Sequence, residues 1–456
     1  MSSLTGRHLA RLVLDQYENE DAYLNLELTR VLNEYNQADR REKDFCSELV
    51  YGTLRHLLKI DFILGRLLSR PLGSLKTPIK NILRIAIYQL IQLPETPEHA
   101  IVHTAVEETK RTKYAGLAGL VNGVLRNYLR QRNQINLPDR EIDLVRYLSL
   151  EFSHPDWLIE RWLNRFGLEI TESILKTNNQ QPPLTVRINQ HLVNCSDLKT
   201  ELASQKIAWQ PGRLLEEAIT LQDLPCVLDE LTQFKDGKLF VQDESSMLVS
   251  HLMAPQPGET IIDLCAAPGG KSTHLAELTD DQCHIFSVDD HAHKVNLIKE
   301  NVLRLKLKSI EPILGDARHI FAGEERKADA VLVDAPCSGT GVLRRRIDAR
   351  YRRRPEDIKS LVTLQREILE QAARLVGPGG RLVYSTCTLE PEENQEQVKW
   401  FNENHPEFQI ESYSKFLPLE LNSYLAEKNQ KWVTLLPASG GGDGFFMCRL
   451  KRISSQ

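Results

Sequence analysis

Near Lys238 the spacing of apolar residues changes, and the chain divides into parts that cannot share one architecture. From residue 7 to about 133, apolar positions recur at helical spacing in RHLARLVLDQY, FCSELVYGTLRHLLKIDFILGRLL, PIKNILRIAIYQLIQL and LAGLVNGVLRNYLRQR. Breakers fall between these stretches, at Pro71-Leu72-Gly73, at Pro94 and Pro97, and from Asn136 to Pro138. The pattern predicts an all-α domain over residues 1–138. After Lys238 the short apolar runs ETIIDLC, HIFSV, IEPIL, ADAVLVD and RLVYST end in polar or glycine-containing loops. The helical stretches HKVNLIKENVLRL and DIKSLVTLQREILEQAARLV lie among them. Such alternation predicts a parallel, doubly wound sheet, an α/β Rossmann-like domain over residues 238–456. Residues 139–237 are mixed. SHPDWLIERWLNRF reads as a helix with Ser153 as N-cap and Pro155 in the first turn, PPLTVRIN reads as a strand, and the stretch is placed as a small α+β connector.

A length of 456 residues suits such a multidomain chain. No stretch approaches the ~20 apolar residues of a membrane span, and the N-terminus MSSLTGRHLARLVLDQY has no secretory pattern. A cytoplasmic protein with no membrane partner is expected. The eight cysteines are Cys46, Cys195, Cys226, Cys265, Cys283, Cys337, Cys387 and Cys448, with no C-x-x-C pair. No metal site and no disulfide framework are therefore expected. The formal charge of −5 hides an asymmetry, because residues 1–135 carry a net +4 and the remainder a net −9. Local patches, not the total, decide contact with phosphate.

Ligands of doubly wound sheets sit at the carboxyl ends of the strands, and the distinctive loops of this chain fall there. The first is Asp263-Leu264-Cys265-Ala266-Ala267-Pro268-Gly269-Gly270-Lys271, after which a helix is expected from about Ser272. Its small residues let backbone approach a ligand closely. It is not the G-x-G-x-x-G dinucleotide loop, and taken alone it also reads as an ordinary strand–turn–helix. Asp289 and Asp290 end the second strand, where an acid can bind ribose hydroxyls, and Asp289 directly follows the apolar run. Asp316 follows the third strand, placed to accept from an adenine amino group. Three acids in sequence after a glycine loop point to a nucleoside site.

DLCAAPGGKSTHLAE resembles the first motif of the Sun-type RNA cytosine-5 methyltransferases, and the similarity runs from about Ser153 to Arg449. It implies that S-adenosyl-L-methionine contacts Cys265, Ala266, Ala267, Pro268, Gly269, Gly270 and Lys271, together with Asp289, Asp316 and Asp334.

Two further strand-end loops carry cysteine: Asp334-Ala335-Pro336-Cys337-Ser338-Gly339-Thr340-Gly341, and Ser385-Thr386-Cys387-Thr388 followed by the acidic PEEN at 391–394. One such cysteine would read as a small buried hydrophobe. Two at the rim of one presumed cleft read as a reactive pair. Carbon 5 of cytosine is too weak a nucleophile to take a sulfonium methyl unless a thiolate first adds to carbon 6. A free cysteine is only about 3% thiolate at neutral pH, so activation matters. Asp334 is suited to the N3/N4 edge of the base, where charge develops. DNA cytosine-5 enzymes attack with the Pro-Cys cysteine. The resemblance to the RNA family implies instead that Cys387 attacks and Cys337 assists release.

After the Pro-Cys loop, residues 344–354 hold seven arginines, Asp348 and Tyr351. A solvated face is the plain reading of a charge run. Beside a catalytic loop, RNA contact by Arg344, Arg345 and Arg346 is the sharper one. The family pattern here is Arg-Arg-His-Pro-Asp, so Arg346 and Ile347 depart from it. Asn179-Gln180-Gln181-Pro182, leading to Arg187 and Asn189, resembles the family's element before the catalytic domain. Arg187 is a further candidate for RNA, against a purely structural turn-to-strand. The helical region resembles NusB-like RNA-binding domains in FCSELVYGTLRHLLKIDFIL and PEHAIVHTAVEETKRTKYAGLAGLVNGVLRN. Its fusion to such a catalytic domain is the arrangement of bacterial 16S rRNA cytosine-5 methyltransferases. That resemblance implies 16S rRNA as partner, in the small ribosomal subunit or its precursor, and cytosine 967 as target. The same chemistry on tRNA, and a non-catalytic RNA-binding or antitermination factor, are the alternatives.

Overall fold

The computed structural model describes residues 4–19, 23–427, 429–437 and 442–453. Two compact units emerge, one formed by residues 1–180 with Arg346–Arg352, the other by Gln181–Arg345 with Arg353–Gln456.

The first unit is helical, as its periodicity predicts. Its helices are α1 (Gly6–Asn19), α2 (Leu24–Glu34), α3 (Arg40–Arg55), α4 (Leu57–Leu67), α5 (Thr77–Gln92), α6 (Glu98–Lys110), α7 (Ala118–Gln131), α8 (Leu144–Phe152) and α9 (Asp156–Asn178). The expected breakers separate α4 from α5 and α5 from α6. The apolar stripes of α1–α7 meet in one core that includes Leu9, Val13, Leu49, Ile60, Leu83 and Ile87. Ser153 does not cap α9. It closes α8 in the left-handed conformation, φ 53°, and its carbonyl accepts from Tyr351 Oη at 3.0 Å. Proline at 155 takes the N-cap position of α9.

The second unit holds β1 (Leu184–Ile188), α10 (Cys195–Ser204), β2 (Ala208–Pro211), β3 (Ala218–Gln222), α11 (Thr232–Lys235) and β4 (Leu239–Val241). These strands form an antiparallel sheet in the order β2-β3-β1-β4. The expected connector is thus divided. Its helices α8 and α9 count with the first unit, while its strands count with the second and recruit β4 from beyond Lys238.

The chain continues through α12 (Glu244–Met253), β5 (Thr260–Asp263), α13 (Gly270–Leu278), β6 (His284–Asp289), α14 (Ala292–Arg304), β7 (Ile310–Leu314), β8 (Ala328–Asp334) and α15 (Ala349–Arg352), the last belonging to the first unit. It ends with α16 (Pro355–Leu375), β9 (Val376–Thr386), α17 (Gln395–Asn404), β10 (Phe408–Glu411), β11 (Val433–Leu435) and β12 (Phe445–Arg452). The main sheet runs β10-β12-β9-β8-β5-β6-β7, with β11 on β12. All five strands read from the sequence are parallel to their neighbours among themselves. The sheet is mixed, however, because β12 inserts antiparallel between β9 and β10. Alternate residues of the central strands enter opposite cores. Ile261, Leu332 and Val383 face one, and Ile262, Val333 and Leu382 face the other. Burial on both faces explains why these strands read as unbroken apolar runs.

Candidate active site

Chain order reverses where β5 lies between β6 and β8, the switch point at which open α/β sheets bind ligands. A cavity of about 190 Å³ opens there, lined by Cys265, Ala266, Ala267, Pro268, Gly270 and Lys271 of the glycine loop, by Asp263 and Asp334, and by Phe240, Gln242 and Asp243 from around β4. Gly269 holds φ +97°, a left-handed conformation open to glycine, and α13 starts at Gly270, two residues earlier than expected. A Cβ on Gly270 would stand 3.1 Å from the Phe240 ring, so the glycine keeps the cleft wall close.

Acids surround this cavity. Asp263 is buried; Oδ2 accepts from Ser272 Oγ at 2.6 Å, while Oδ1 has no partner among the described residues. Burial, reinforced by Asp334, pushes its carboxyl up to about 7. Asp289 accepts from the Ala267 backbone N–H at 3.3 Å and lies 3.4 Å from Lys294 Nζ, whereas Asp290 points outward to His291 and Lys294. Asp316 ends up differently. Its carboxylate is held by Arg318 at 2.7 Å, and Arg318 also reaches Glu367 at 3.1 Å. A carboxylate offers about four lone-pair sites, so this pairing leaves room to accept from an adenine amino group as well.

The register of β8 and β9 brings the cysteines together. Asp334 is paired with Ser385 across parallel strands, so both strands exit at the same level. The next residues place Cys337 Sγ 3.4 Å from Cys387 Sγ, both as free thiols. Contact with Cys387 and burial push the Cys337 thiol well up. Asp334 accepts from Lys271 Nζ at 2.5 Å and from Ser385 Oγ at 2.8 Å, which fixes both carboxylate oxygens.

Beneath the pair lies a group that the sequence signalled only as part of an acidic tract. Glu393 is fully buried and accepts from the Ser338 N–H at 2.8 Å, Gln365 Nε2 at 3.0 Å and Thr388 Oγ1 at 3.1 Å. It therefore joins the Pro-Cys loop to the Thr-Cys loop. Gly341 N–H donates to the Cys387 carbonyl at 3.0 Å, and Arg353 donates to the Ser338 carbonyl at 3.2 Å.

Comparison with known proteins finds likeness along the whole chain. The family model for 16S rRNA methyltransferase RsmB/F matches residues 250–451. The NusB family matches 5–130, and the RsmF/B-like ferredoxin-like domain matches 154–227. Probable ribosomal RNA small subunit methyltransferase B of Bacillus subtilis is 38% identical over 99% of this chain and all of its own length. Its namesake from Synechocystis is 36% identical over 98% and 100%. The crystal structure of PH0851 superposes with a TM-score of 0.83 at 25% identity, covering 99% of each chain. This chain belongs to the RsmB/F methyltransferase family.

It is accordingly an S-adenosyl-L-methionine-dependent RNA cytosine-5 methyltransferase. The cleft fits that cofactor on its own terms. An unpartnered buried carboxylate oxygen on Asp263 suits an ammonium group, Asp289 suits ribose hydroxyls, and the small-residue loop admits a nucleoside.

Family membership does not extend to the expected RNA-contacting arginines. Arg187 is fully buried. Its guanidinium binds Glu277 at 2.6 and 2.8 Å, the Gly270 carbonyl at 2.8 Å and Thr273 Oγ1 at 3.0 Å. A positioning role for the glycine-loop helix replaces the expected RNA contact. Arg344 is 2% exposed and binds Asp443 at 2.6 Å, and Arg345 is shared by Asp443 and Asp243. Of the three arginines expected to meet RNA in this run, Arg346 alone is exposed. Asn189, noted with Arg187, donates to the Gly237 and Leu305 carbonyls inside the unit.

Proposed function

We propose that this RsmB/F-family enzyme methylates carbon 5 of cytosine 967 in 16S rRNA, in the cytoplasm, on the small ribosomal subunit or its precursor, through a covalent cysteine adduct. The observation that carries the covalent reading is the Cys337–Cys387 pair, 3.4 Å apart beside the fixed carboxylate of Asp334. The target reading is supported by full-length likeness to proteins named small subunit methyltransferase B and by the NusB match.

Cys387 acts as the nucleophile, adding its thiolate to carbon 6 of the base. The C5=C6 electron pair moves to carbon 5, and Asp334 steadies the charge at the N3/N4 edge. S-adenosyl-L-methionine, held by the Cys265–Lys271 loop with Asp263 and Asp289, supplies an electrophilic methyl group. Loss of the carbon 5 proton to solvent water then restores the C5=C6 double bond as the Cys387 sulfur leaves. Cys337, held as a thiol, stands where it can protonate the departing sulfur. RNA phosphate is met by exposed arginines, Arg346 foremost.

Two variants test this reading. Cys387→Ala is expected to abolish methyl transfer without forming an adduct, and Cys337→Ala to accumulate a protein–RNA adduct on a denaturing gel. An adduct in Cys387→Ala would reverse the roles. Mapping 5-methylcytosine in rRNA from cells with and without the gene tests the target, and an unchanged map at cytosine 967 would refute it.

A further inference from the structure

Away from the cysteine pair, three residues distant in sequence converge inside the second unit. Glu217 directly precedes β3, His251 lies on α12 and His274 on α13. Each offers one ligand atom, and these atoms all lie within 4.8 Å of one another. Glu217 Oε1 is 2.6 Å from His251 Nε2 and 3.5 Å from His274 Nε2. A simple histidine–carboxylate pair accounts for His251 but not for His274. That ring is 2% exposed; its Nδ1 has no hydrogen-bond partner among the described residues, and its Nε2 has only the long 3.5 Å approach of Glu217. Buried polar atoms are ordinarily satisfied, so an imidazole left this way beside a carboxylate calls for a ligand.

We propose that Glu217, His251 and His274 bind one zinc ion, with solvent completing the coordination on the half-buried His251 side. Two imidazoles and a carboxylate form a familiar three-residue zinc set, and the nitrogen ligands disfavour magnesium and calcium. Tetrahedral bonds of about 2.0 Å place ligand atoms about 3.3 Å apart. The 3.5 Å separation already matches that spacing, and the 2.6 Å one needs to open by less than an ångström. The Arg187 guanidinium nearby is paired with Glu277 at 2.6 Å, so its charge does not stand alone against a cation. The ion would tie α12 and the β3 entry to α13, the helix that carries Lys271.

Metal binding to the full-length protein tests the proposal. The chain is stripped with a chelator, and zinc alone is added in competition with a chromophoric chelator. One zinc per chain is expected. Its affinity should fall more than about tenfold in His251→Gln, whose amide can still donate to Glu217. The Cys337→Ser/Cys387→Ser double variant, which removes the other zinc-attracting pair, should keep the ion. Cobalt substitution of the unmutated protein adds a readout independent of variant folding, with a tetrahedral visible spectrum and no thiolate charge-transfer band expected. Failure to bind zinc, unchanged affinity in His251→Gln, loss in the double-cysteine variant, or a thiolate band would each overturn the assignment.

Discussion

Asp263 shows how one side chain sets a pH dependence. Its carboxyl is raised from 3.8 to about 7 by burial, so between those values the folded protein retains a proton that the unfolded chain has released. The associated stability is fully present below about pH 3.8 and is lost as the pH rises through about 7. Asp263→Asn should therefore gain on the unmutated enzyme between about pH 4 and 8, by at most about 4 kcal/mol, read from denaturant midpoints. Cofactor affinity should follow the opposite slope. An ammonium group on the unpartnered oxygen favours the charged carboxylate, so binding strengthens as the pH approaches about 7 and levels off above it. Calorimetric titration of Asp263→Asn should show weaker binding without that slope. The meeting of the two cysteines was legible because it follows from strand order: cysteines after the fourth and fifth apolar runs leave neighbouring parallel strands at one edge. Arginine roles were not legible. A guanidinium bound to Glu277 inside the protein and one facing solvent are the same letter, and the acids that bury Arg344 and Arg187 lie about a hundred residues away.

Elements meet at two places where a single atom decides the fit. Arg187, on β1, holds the first turn of α13 through Gly270 and Thr273 and its third turn through Glu277. Arg187→Met would strand Glu277 in a dry interior, a loss of about 3–5 kcal/mol by chemical denaturation, with weaker cofactor binding. Gly341 is the second. A Cβ there would stand 2.3 Å from the Gly444 carbonyl oxygen and 2.9 Å from that of Cys387. Gly341→Ala must displace the loop that carries Cys387, and a shift near 1 Å is expected to lower turnover about a hundredfold, measurable as kcat in a folded variant. Periodicity exposed the helices and the parallel strands because each is a local pattern. The antiparallel β12 escaped notice because its partners, β9 and β10, are chosen by long-range pairing. The division of the connector escaped for a similar reason, since unit membership depends on contacts that no short window contains.

At the scale of the whole chain, the net charge of −5 says little about how RNA is met. What matters is which members of the arginine run 344–354 remain free, and the run is divided between the two units. Within the first unit, Arg350 is 1% exposed. It donates to Asn179 Oδ1 at 2.8 Å and to the Asn178 carbonyl at 3.0 Å, while Ile347 joins the core and Tyr351 donates to the Leu54 carbonyl at 2.7 Å. Ile347 departs from the family pattern at a buried position, where an apolar side chain is an asset. Two distinct phenotypes should follow within one short stretch. Arg350→Ala leaves buried acceptors unpaired and should cost about 2–4 kcal/mol of stability, seen as a lower thermal midpoint; Arg350→Lys should not rescue it, because an ammonium cannot span the same fork of acceptors. Arg346→Ala, at an exposed position, should leave the midpoint within about 0.5 kcal/mol while weakening RNA binding. Its salt dependence should become shallower by about 0.7 in the log–log slope, the share of a single phosphate contact on a single strand. If both variants changed only stability, this run would be structural throughout, and the phosphate contacts would have to come from other exposed cations of the chain.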